Sequence, residues 1–378
     1  MLINFIKWNN FLVLVIFIIS LIIFILFINN NEEIILFIFL FFSCLFVIYE
    51  NNYFYKYCGL ELHSFILIFF ISKNKNNSLA SLASIQYLIQ NAISGSFFIL
   101  SIFISILKGF SINFLYNNNS YLLIILLNIS LLIKIGIIPF HYWVLYVYEN
   151  IQWKELLILA SISKIILLNI FYTTNYNYSI TFFCVISVIL SSILIINENK
   201  IKKILVWSSI NNTSYMLLSI NLFSYKGLYI VNIWIIIYMI SLIFIIYIFK
   251  EYNIINISEI CKIKNNRYLN YTFLILFCSI GALPPIGGFY NKLILCKVLA
   301  YNSFVLILSL ILIFNILNII IYFRIIYLNF FSINNNGYYI WKSYLFNKFN
   351  FYKHWLFFIL INKVCFINFF YFFYIIYT

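Results

Sequence analysis

The chain has 378 residues, 65% hydrophobic and 8% charged, with 23 lysines and arginines against nine acidic residues and a formal net charge of +14. A soluble protein of this size normally carries about 25% charged residues, so a water-soluble fold is excluded, whether one domain or two. Net positive charge is also a footprint of nucleic-acid binding, but here the charges sit in short loops between apolar runs. Nucleic acid is therefore excluded as a partner, and membrane topology accounts for the charge.

Finer composition adds little chemistry. Every acidic residue is Glu, and Lys supplies all but Arg267 and Arg324 of the basic ones. Together with heavy use of Ile, Phe, Tyr and Asn, this matches A+T-rich codons and suggests an organellar genome. The seven Cys are scattered without a C-x-x-C pair and the three His lie far apart. Neither a metal site nor a disulfide framework is expected.

Apolar runs long enough to cross about 30 Å of hydrocarbon recur from end to end. Twelve spans are predicted, at approximately 11–28, 34–49, 57–72, 81–107, 121–138, 155–172, 178–195, 204–222, 227–249, 268–301, 304–328 and 355–377. The first is too long for the apolar core of a cleaved signal and lacks a small-residue cleavage site, so it is expected to be a span. Backbone groups in lipid must be satisfied within the segment, and the runs lack the alternation of a barrel; all are expected to be helices. The predicted fold class is all-α, a polytopic transmembrane helical bundle.

Assigning alternate loops to opposite sides tests this count. One side receives Lys73, Lys75, Lys154, Lys200, Lys202, Lys203, Lys250, Lys262, Lys264, Arg267, Lys342, Lys348 and Lys353; the other receives only Lys7, Lys56, Lys108 and Lys226. By the positive-inside rule the richer side faces the matrix or cytoplasm, which leaves both termini on the opposite side.

The three prolines all fall on spans. Pro139 interrupts the fifth in KIGIIPFHYW, and Pro284 and Pro285 interrupt the tenth in GALPPIGGFYNK, beside Gly287 and Gly288. Proline removes a helix hydrogen bond and clashes with the preceding turn. At membrane depth such a break survives only where protein or a wet cavity satisfies the freed groups. The two breaks are five spans apart, an odd offset, so the second copy runs in the opposite direction. Inverted five-helix repeats, each with one broken helix, are the expected architecture, and paired broken helices point to a transport site.

Ionisable residues lie inside the spans too. Lys134 precedes Pro139, Lys164 is central in ILASISKIILL, Lys292 follows the double proline, and Glu61 lies in YCGLELHSF. Each costs about 2.5–3.5 kcal/mol at a helix centre, and four unpaired would cost on the order of 10–14 kcal/mol. That burden marks them as candidate functional groups. His141, just past Pro139, is either an accessory group or a cap for the broken helix. Lys297, Arg324 and Lys363 are expected to reach an interface by snorkelling. Desolvation disfavours an ammonium and a neighbouring carboxylate restores it, so a Glu–Lys pair is an adjustable clamp on a proton. One glutamate and three lysines bridged by water form a proton or cation path.

At these residues the chain resembles the subunit 2 family of NADH:ubiquinone oxidoreductase, antiporter-like subunits of mitochondrial respiratory complex I. The family's K-(L/M/I)-G-x-x-PFH-(F/Y)-W stretch is similar to KIGIIPFHYW, its G-L-E-(I/L)-N segment to GLELHSF, and its N-Q-x-x-(I/L)-(R/K)-K-(I/L)-L-A-Y-S-S-I segment to NENKIKKILVWSSI at 197–210. Its LGGLPPLTGF-x-x-K stretch is similar to SIGALPPIGGFYNK at 279–292. The segments keep the family's order. The chain departs after PFHYW, where the family's x-P-E is replaced by VLYVYEN with only Glu149 following, and beyond about residue 303 nothing matches.

The resemblance implies that Glu61 pairs with Lys134, that Lys164 is the central relay, and that Lys292 is the terminal lysine leading to the outlet. Paralogous subunits fit less well: subunit 5 carries His near the position of Lys164, and subunit 4 ends its relay on Glu where Lys292 stands. It further implies a mitochondrial inner-membrane protein with basic loops in the matrix and both termini in the intermembrane space. Its partners would be other membrane-arm subunits and lipids. No cofactor is expected on this chain, with NADH, FMN, iron–sulfur clusters and quinone held by other subunits, so the enzyme label belongs to the complex. The expected organisation is N-terminal helices at 1–56, a translocating core at 57–302, and C-terminal helices with a basic loop at 303–378. Competing readings are a cation/proton antiporter subunit and a non-conducting spacer of the membrane arm.

Overall fold

The computed structural model describes residues 31–73, 78–107, 121–172, 178–222, 225–263, 267–284 and 286–331, with 20, 22 and 23. All but those three residues of the expected span 11–28 lie outside them, as do the span 355–377, Lys342, Lys348, Lys353, Lys363 and Pro285. Thirteen α-helices make up the described part: α1 Asn31–Tyr49, α2 Tyr53–Ser72, α3 Ser78–Leu107, α4 Tyr121–Ile135, α5 Tyr142–Asn150, α6 Trp153–Ala160 and α7 Ile162–Tyr172, followed by α8 Tyr178–Leu194, α9 Ile201–Leu222, α10 Tyr225–Glu251, α11 Arg267–Gly281, α12 Gly287–Tyr301 and α13 Val305–Phe331. Among the described residues there is one isolated bridge, Lys200 with Asn256, and no strand.

Among the described residues six helical stretches are long and apolar enough to cross a bilayer, at α1, α2, α3, α8 with the turn that continues it to Asn197, α10 and α13. Their polar residues are made compatible with an apolar surround locally. The hydroxyls of Ser84, Ser94, Ser101 and Ser105 on α3 each donate to the carbonyl three residues back. These serines lie on the buried stripe Ala80, Ala83, Tyr87, Asn91, Gly95, Phe98, which recurs at helical spacing and packs α3 between α2 and α4. Large side chains on the outside, such as Phe39, Phe42, Phe103, Leu312 and Ile316, are exposed, as a lipid-facing surface requires.

Both proline breaks are built the same way. After α4, Gly136 adopts φ +78°, its N–H donates to Ile133 O (3.1 Å), and the N–H of Ile137 reaches back to Leu132 O (3.2 Å). After α11, Ala282 adopts φ +57°, its N–H donates to Ser279 O (3.3 Å), and Leu283 reaches back to Cys278 O (2.9 Å). Each is a Schellman closure, which satisfies the last carbonyls of a stopped helix. The same closure ends α10 at Asn253 and α12 at Ser303; the two breaks differ in carrying the prolines Pro139 and Pro284 just after it. Pro139 follows a cis peptide bond and α5 begins at Tyr142. The indole N–H of Trp143 then returns to Ile133 O at 3.0 Å, so a carbonyl freed at the break is bonded by protein.

Three expectations about span boundaries change. The span expected at 155–172 is divided: α6 ends at Ala160 and α7 starts at Ile162, with Ser161 off helical geometry at φ −107°, ψ −80°. The hydroxyls of Ser161 and Ser163 bond back to Leu157 O and Leu159 O, a competition with the backbone ladder that bends helices. Secondly, the segment after Pro139 is helical rather than loop. Thirdly, Lys56 is no loop residue. Asn52 caps α2 by accepting the N–H of Phe54 (3.0 Å), so the helix starts before Lys56, whose buried ammonium lies over the Tyr53 ring at 5.0 Å.

Of the basic residues expected on one side, Lys75, Lys264, Lys342, Lys348 and Lys353 lie outside the described residues, and several of the others meet acidic partners at helix ends. Lys154 and Lys73 meet buried Glu33 at 2.5 and 3.7 Å, tying the starts of α1 and α6 to the end of α2. Lys200 and Lys203 both reach Glu149, and Ile201 N–H bonds Ile255 O (3.0 Å) to join the loops before α9 and after α10. In that second loop, a hydrogen bond from Lys262 (2.8 Å) holds the Glu259 carboxyl below the usual carboxylate range.

Candidate functional site

The membrane-embedded charges form one pair, one cavity and one separate cluster. Glu61 on α2 accepts from the Lys134 ammonium at 2.8 Å. Lys134 is 9% exposed. It sits in the last turn of α4, where the aligned peptide dipoles give the helix end a partial negative charge that favours a cation. Opposite the pair, Gly95 on α3 makes the room: a Cβ there would stand 2.9 Å from Glu61 Oε1 and 3.3 Å from Tyr57 Oη.

Lys134 and Lys164 line the same cavity. Its volume is about 30 Å³, and His63, Ser64, Tyr87, Asn91, Tyr148 and Ser163 contribute polar side chains to it. A space of about 10–15 Å³ with two or more polar partners holds a water molecule, so the geometry allows a hydrated link between the two lysines. Lys164, 2% exposed, donates to Ser209 Oγ on α9 at 2.9 Å. Only one turn separates it from the division at Ser161.

Lys292 stands apart from this group. On α12, 8% exposed, it donates to Asn315 Oδ1 on α13 at 3.0 Å and lies over the Tyr215 ring at 4.8 Å. Tyr215 Oη donates to the same Asn315 oxygen at 2.8 Å, and its ring stacks on Trp234 at 5.8 Å. The link back to Lys164 is α9 itself, which carries both Ser209 and Tyr215. Every residue of α9 from position 204 to 219 is buried, among them Ser208, Asn211, Asn212, Thr213 and Ser214. Between the two lysine contacts α9 thus carries buried polar residues, of which Ser208, Asn212, Thr213 and Ser214 bond back to its own carbonyls.

The remaining candidates separate from these. His141 does not line the shared cavity; its Nδ1 lies 3.2 Å from Pro139 O and its ring packs on Trp207 at 5.3 Å. Its side chain makes no cap bond to α5. Pro284 lies in the second break, Gly287 opens α12, and at Gly288 a Cβ would meet Ser279 O at 2.1 Å, which fixes the close crossing of α12 on the end of α11. Lys297 and Arg324 are exposed, unlike Lys292. Sequence reasoning missed Ser209, Tyr215, Asn315 and Gly95, which carry no charge and hence no insertion cost to flag them. Among the described residues no group of three His, Cys or Glu is placed to hold a metal ion.

The profile of the family described as NADH:quinone oxidoreductase/Mrp antiporter, TM matches residues 51–317. NADH-ubiquinone oxidoreductase chain 2 of Sylvisorex johnstoni is 28% identical over 305 residues, covering 78% of this chain and 86% of its own. A chain of respiratory complex I from Thermus thermophilus with bound aureothin superposes with a TM-score of 0.79 at 18% identity, over 85% of this chain and 76% of its own. A chain of the Mrp complex from Dietzia sp. DQ12-45-1b gives 0.71 at 13% identity, over 87% of this chain and 65% of its own. Both structures share the helical membrane fold. The matched region takes in Glu61, Lys134, Lys164, Lys292 and both broken helices, and the chain belongs to the NADH:quinone oxidoreductase/Mrp antiporter transmembrane family.

Proposed function

We propose that the chain is a proton-translocating membrane-arm subunit of respiratory NADH:ubiquinone oxidoreductase, moving protons through Glu61, Lys134, Lys164 and Lys292. The observation that carries this reading is the shared cavity: a paired lysine and a second buried lysine line one polar space. When the Glu61–Lys134 pair is closed, the carboxylate holds the Lys134 proton. Opening it favours release of that proton through water toward Lys164, which rests on a neutral hydroxyl. The buried polar residues of α9 between Ser209 and Tyr215 then lead toward Lys292 and the outlet. Redox energy enters elsewhere, with NADH, FMN, iron–sulfur clusters and quinone in other subunits.

The architecture and setting follow from the same reading. The proline breaks after α4 and α11, five expected spans apart, support two inverted five-helix repeats within a core at 57–302, flanked by helices at 1–56 and 303–378, twelve spans in all. The loop distribution of the basic residues supports a matrix-facing side of a mitochondrial inner-membrane protein, with both termini toward the intermembrane space. Neighbouring antiporter-like and small membrane subunits, and lipid, would cover its apolar surface.

Lys164→Met is the direct test. General acid–base groups contribute about 10²–10⁴-fold, so proton flux in the assembled complex should fall by about 10²-fold or more, and the quinone reductase rate with it. Normal proton/electron stoichiometry together with a normal reductase rate would leave the chain a passive spacer. Gly95→Ala should act more gently, by displacing the Glu61 carboxylate. A misplacement near 1 Å can cost about 10²-fold, and we expect assembly to persist while turnover falls up to that amount. Native-gel abundance read beside reductase rate separates the two effects. A second reading, a cation/proton antiporter subunit, is favoured by the family's inclusion of Mrp antiporters; sodium-dependent proton flux without quinone reduction is its signature.

A further inference from the structure

The segment GLELHSF carries His63 two residues after Glu61. His63 lies on the buried stripe of α2 with Leu60, Ser64 and Leu67, two residues along the same helix from Glu61. It is 4% exposed, it lines the cavity shared by Lys134 and Lys164, and its Nε2 has no hydrogen-bond partner among the described residues. Leaving a buried ring nitrogen unpaired forfeits its hydration without compensation. Asn would fill the site without offering an ionisable group. A cavity of about 30 Å³ against that nitrogen gives it a natural partner, since a water there would have His63, Ser64, Asn91 and the two ammonium groups around it.

We propose that His63 is an additional proton-carrying residue of the path, exchanging protons by way of cavity water between Lys134 and Lys164. This rests on the relay reading above. The step balances within the chain: the water that receives the Lys134 proton passes one to Nε2, and the imidazolium returns one to water facing Lys164 once that lysine is neutral. No other reactant is consumed. Imidazole suits the task because one ring nitrogen can accept a proton and later give it up without breaking any covalent bond to carbon. The titratable groups that line the cavity with His63 are Tyr87 on α3, Lys134 on α4, Tyr148 on α5 and Lys164 on α7. Four neighbouring helices therefore bear on its charge.

The test compares His63→Asn, His63→Gln and Lys164→Met in the assembled complex, reading redox-driven proton flux in H2O and in D2O. Asn and Gln both fill the site and both accept a hydrogen bond, but neither carries a proton. We expect at least a tenfold loss of flux in both His63 variants, with normal abundance and a raised solvent isotope effect. Parental flux and isotope effect in His63→Asn, alongside a collapse in Lys164→Met, would overturn the assignment of His63 and leave the relay standing. Parental flux in Lys164→Met would overturn both. Should the His63 variants fail to assemble, a structure of the parent complex at a resolution that resolves waters decides. Water within hydrogen-bond distance of His63 Nε2 supports the assignment, and a dry site removes it.

Discussion

Replacing Lys134 with Met is expected to remove both proton flux and most of the assembled complex, whereas the double replacement Glu61→Gln with Lys134→Met restores assembly but not flux. The pair is close, at 2.8 Å, with side chains 4% and 19% exposed. Removing one partner of a buried pair strands the other charge and costs about 3–5 kcal/mol, while replacing both with neutral groups is often tolerated. Abundance on native gels should therefore be low for each single variant and recover toward the parent in the double. Flux should stay down by about 10²-fold or more in all three. A double variant that regained flux would make the pair a structural clasp and remove it from the path.

Gly136→Ala is the second large effect. The residue sits at φ +78°, and a Cβ there would stand 2.0 Å from Val144 Cγ2 on α5. Left-handed backbone costs a non-glycine residue about 1–2 kcal/mol, and forcing a methyl into a packed contact about 1–3 kcal/mol more. The two parts are separable. Val144→Ala added to Gly136→Ala should recover the packing part of the loss of complex abundance and leave the backbone part. At Gly288 no such rescue is expected, because the obstacle is the main-chain carbonyl of Ser279 at 2.1 Å. Full recovery of Gly136→Ala by the valine change would show that its backbone conformation is not required.

Much of this was legible in the residues, and the reasons differ from one to the next. Lys134, Lys164 and Lys292 announced themselves because an ammonium in hydrocarbon is costly whatever surrounds it. Pro139 and Pro284 marked breaks because proline lacks the N–H that a continuous helix needs. The division at Ser161 was hidden, since serine is common in these helices and usually bonds back without breaking them; Ser84 and Ser94 do the same inside an unbroken α3. Ser209, Tyr215 and Asn315 were equally silent, being neutral residues whose importance lies in which lysine they meet across helices. The loop assignment of Lys56 failed for a local reason. Asn52 starts α2 earlier than hydropathy indicates, and the Tyr53 ring shelters a charge that was expected in water.

The burial of α9 on all sides has a mechanical consequence. Ser209 and Tyr215, the contacts of Lys164 and Lys292, are six residues apart on this helix, about 9 Å along its axis at 1.5 Å per residue. A rod gripped by neighbours all round cannot flex at one contact and stay still at the other. Any slide or roll of α9 would loosen or tighten both ammonium groups in the same stroke, so the two stations share one clock.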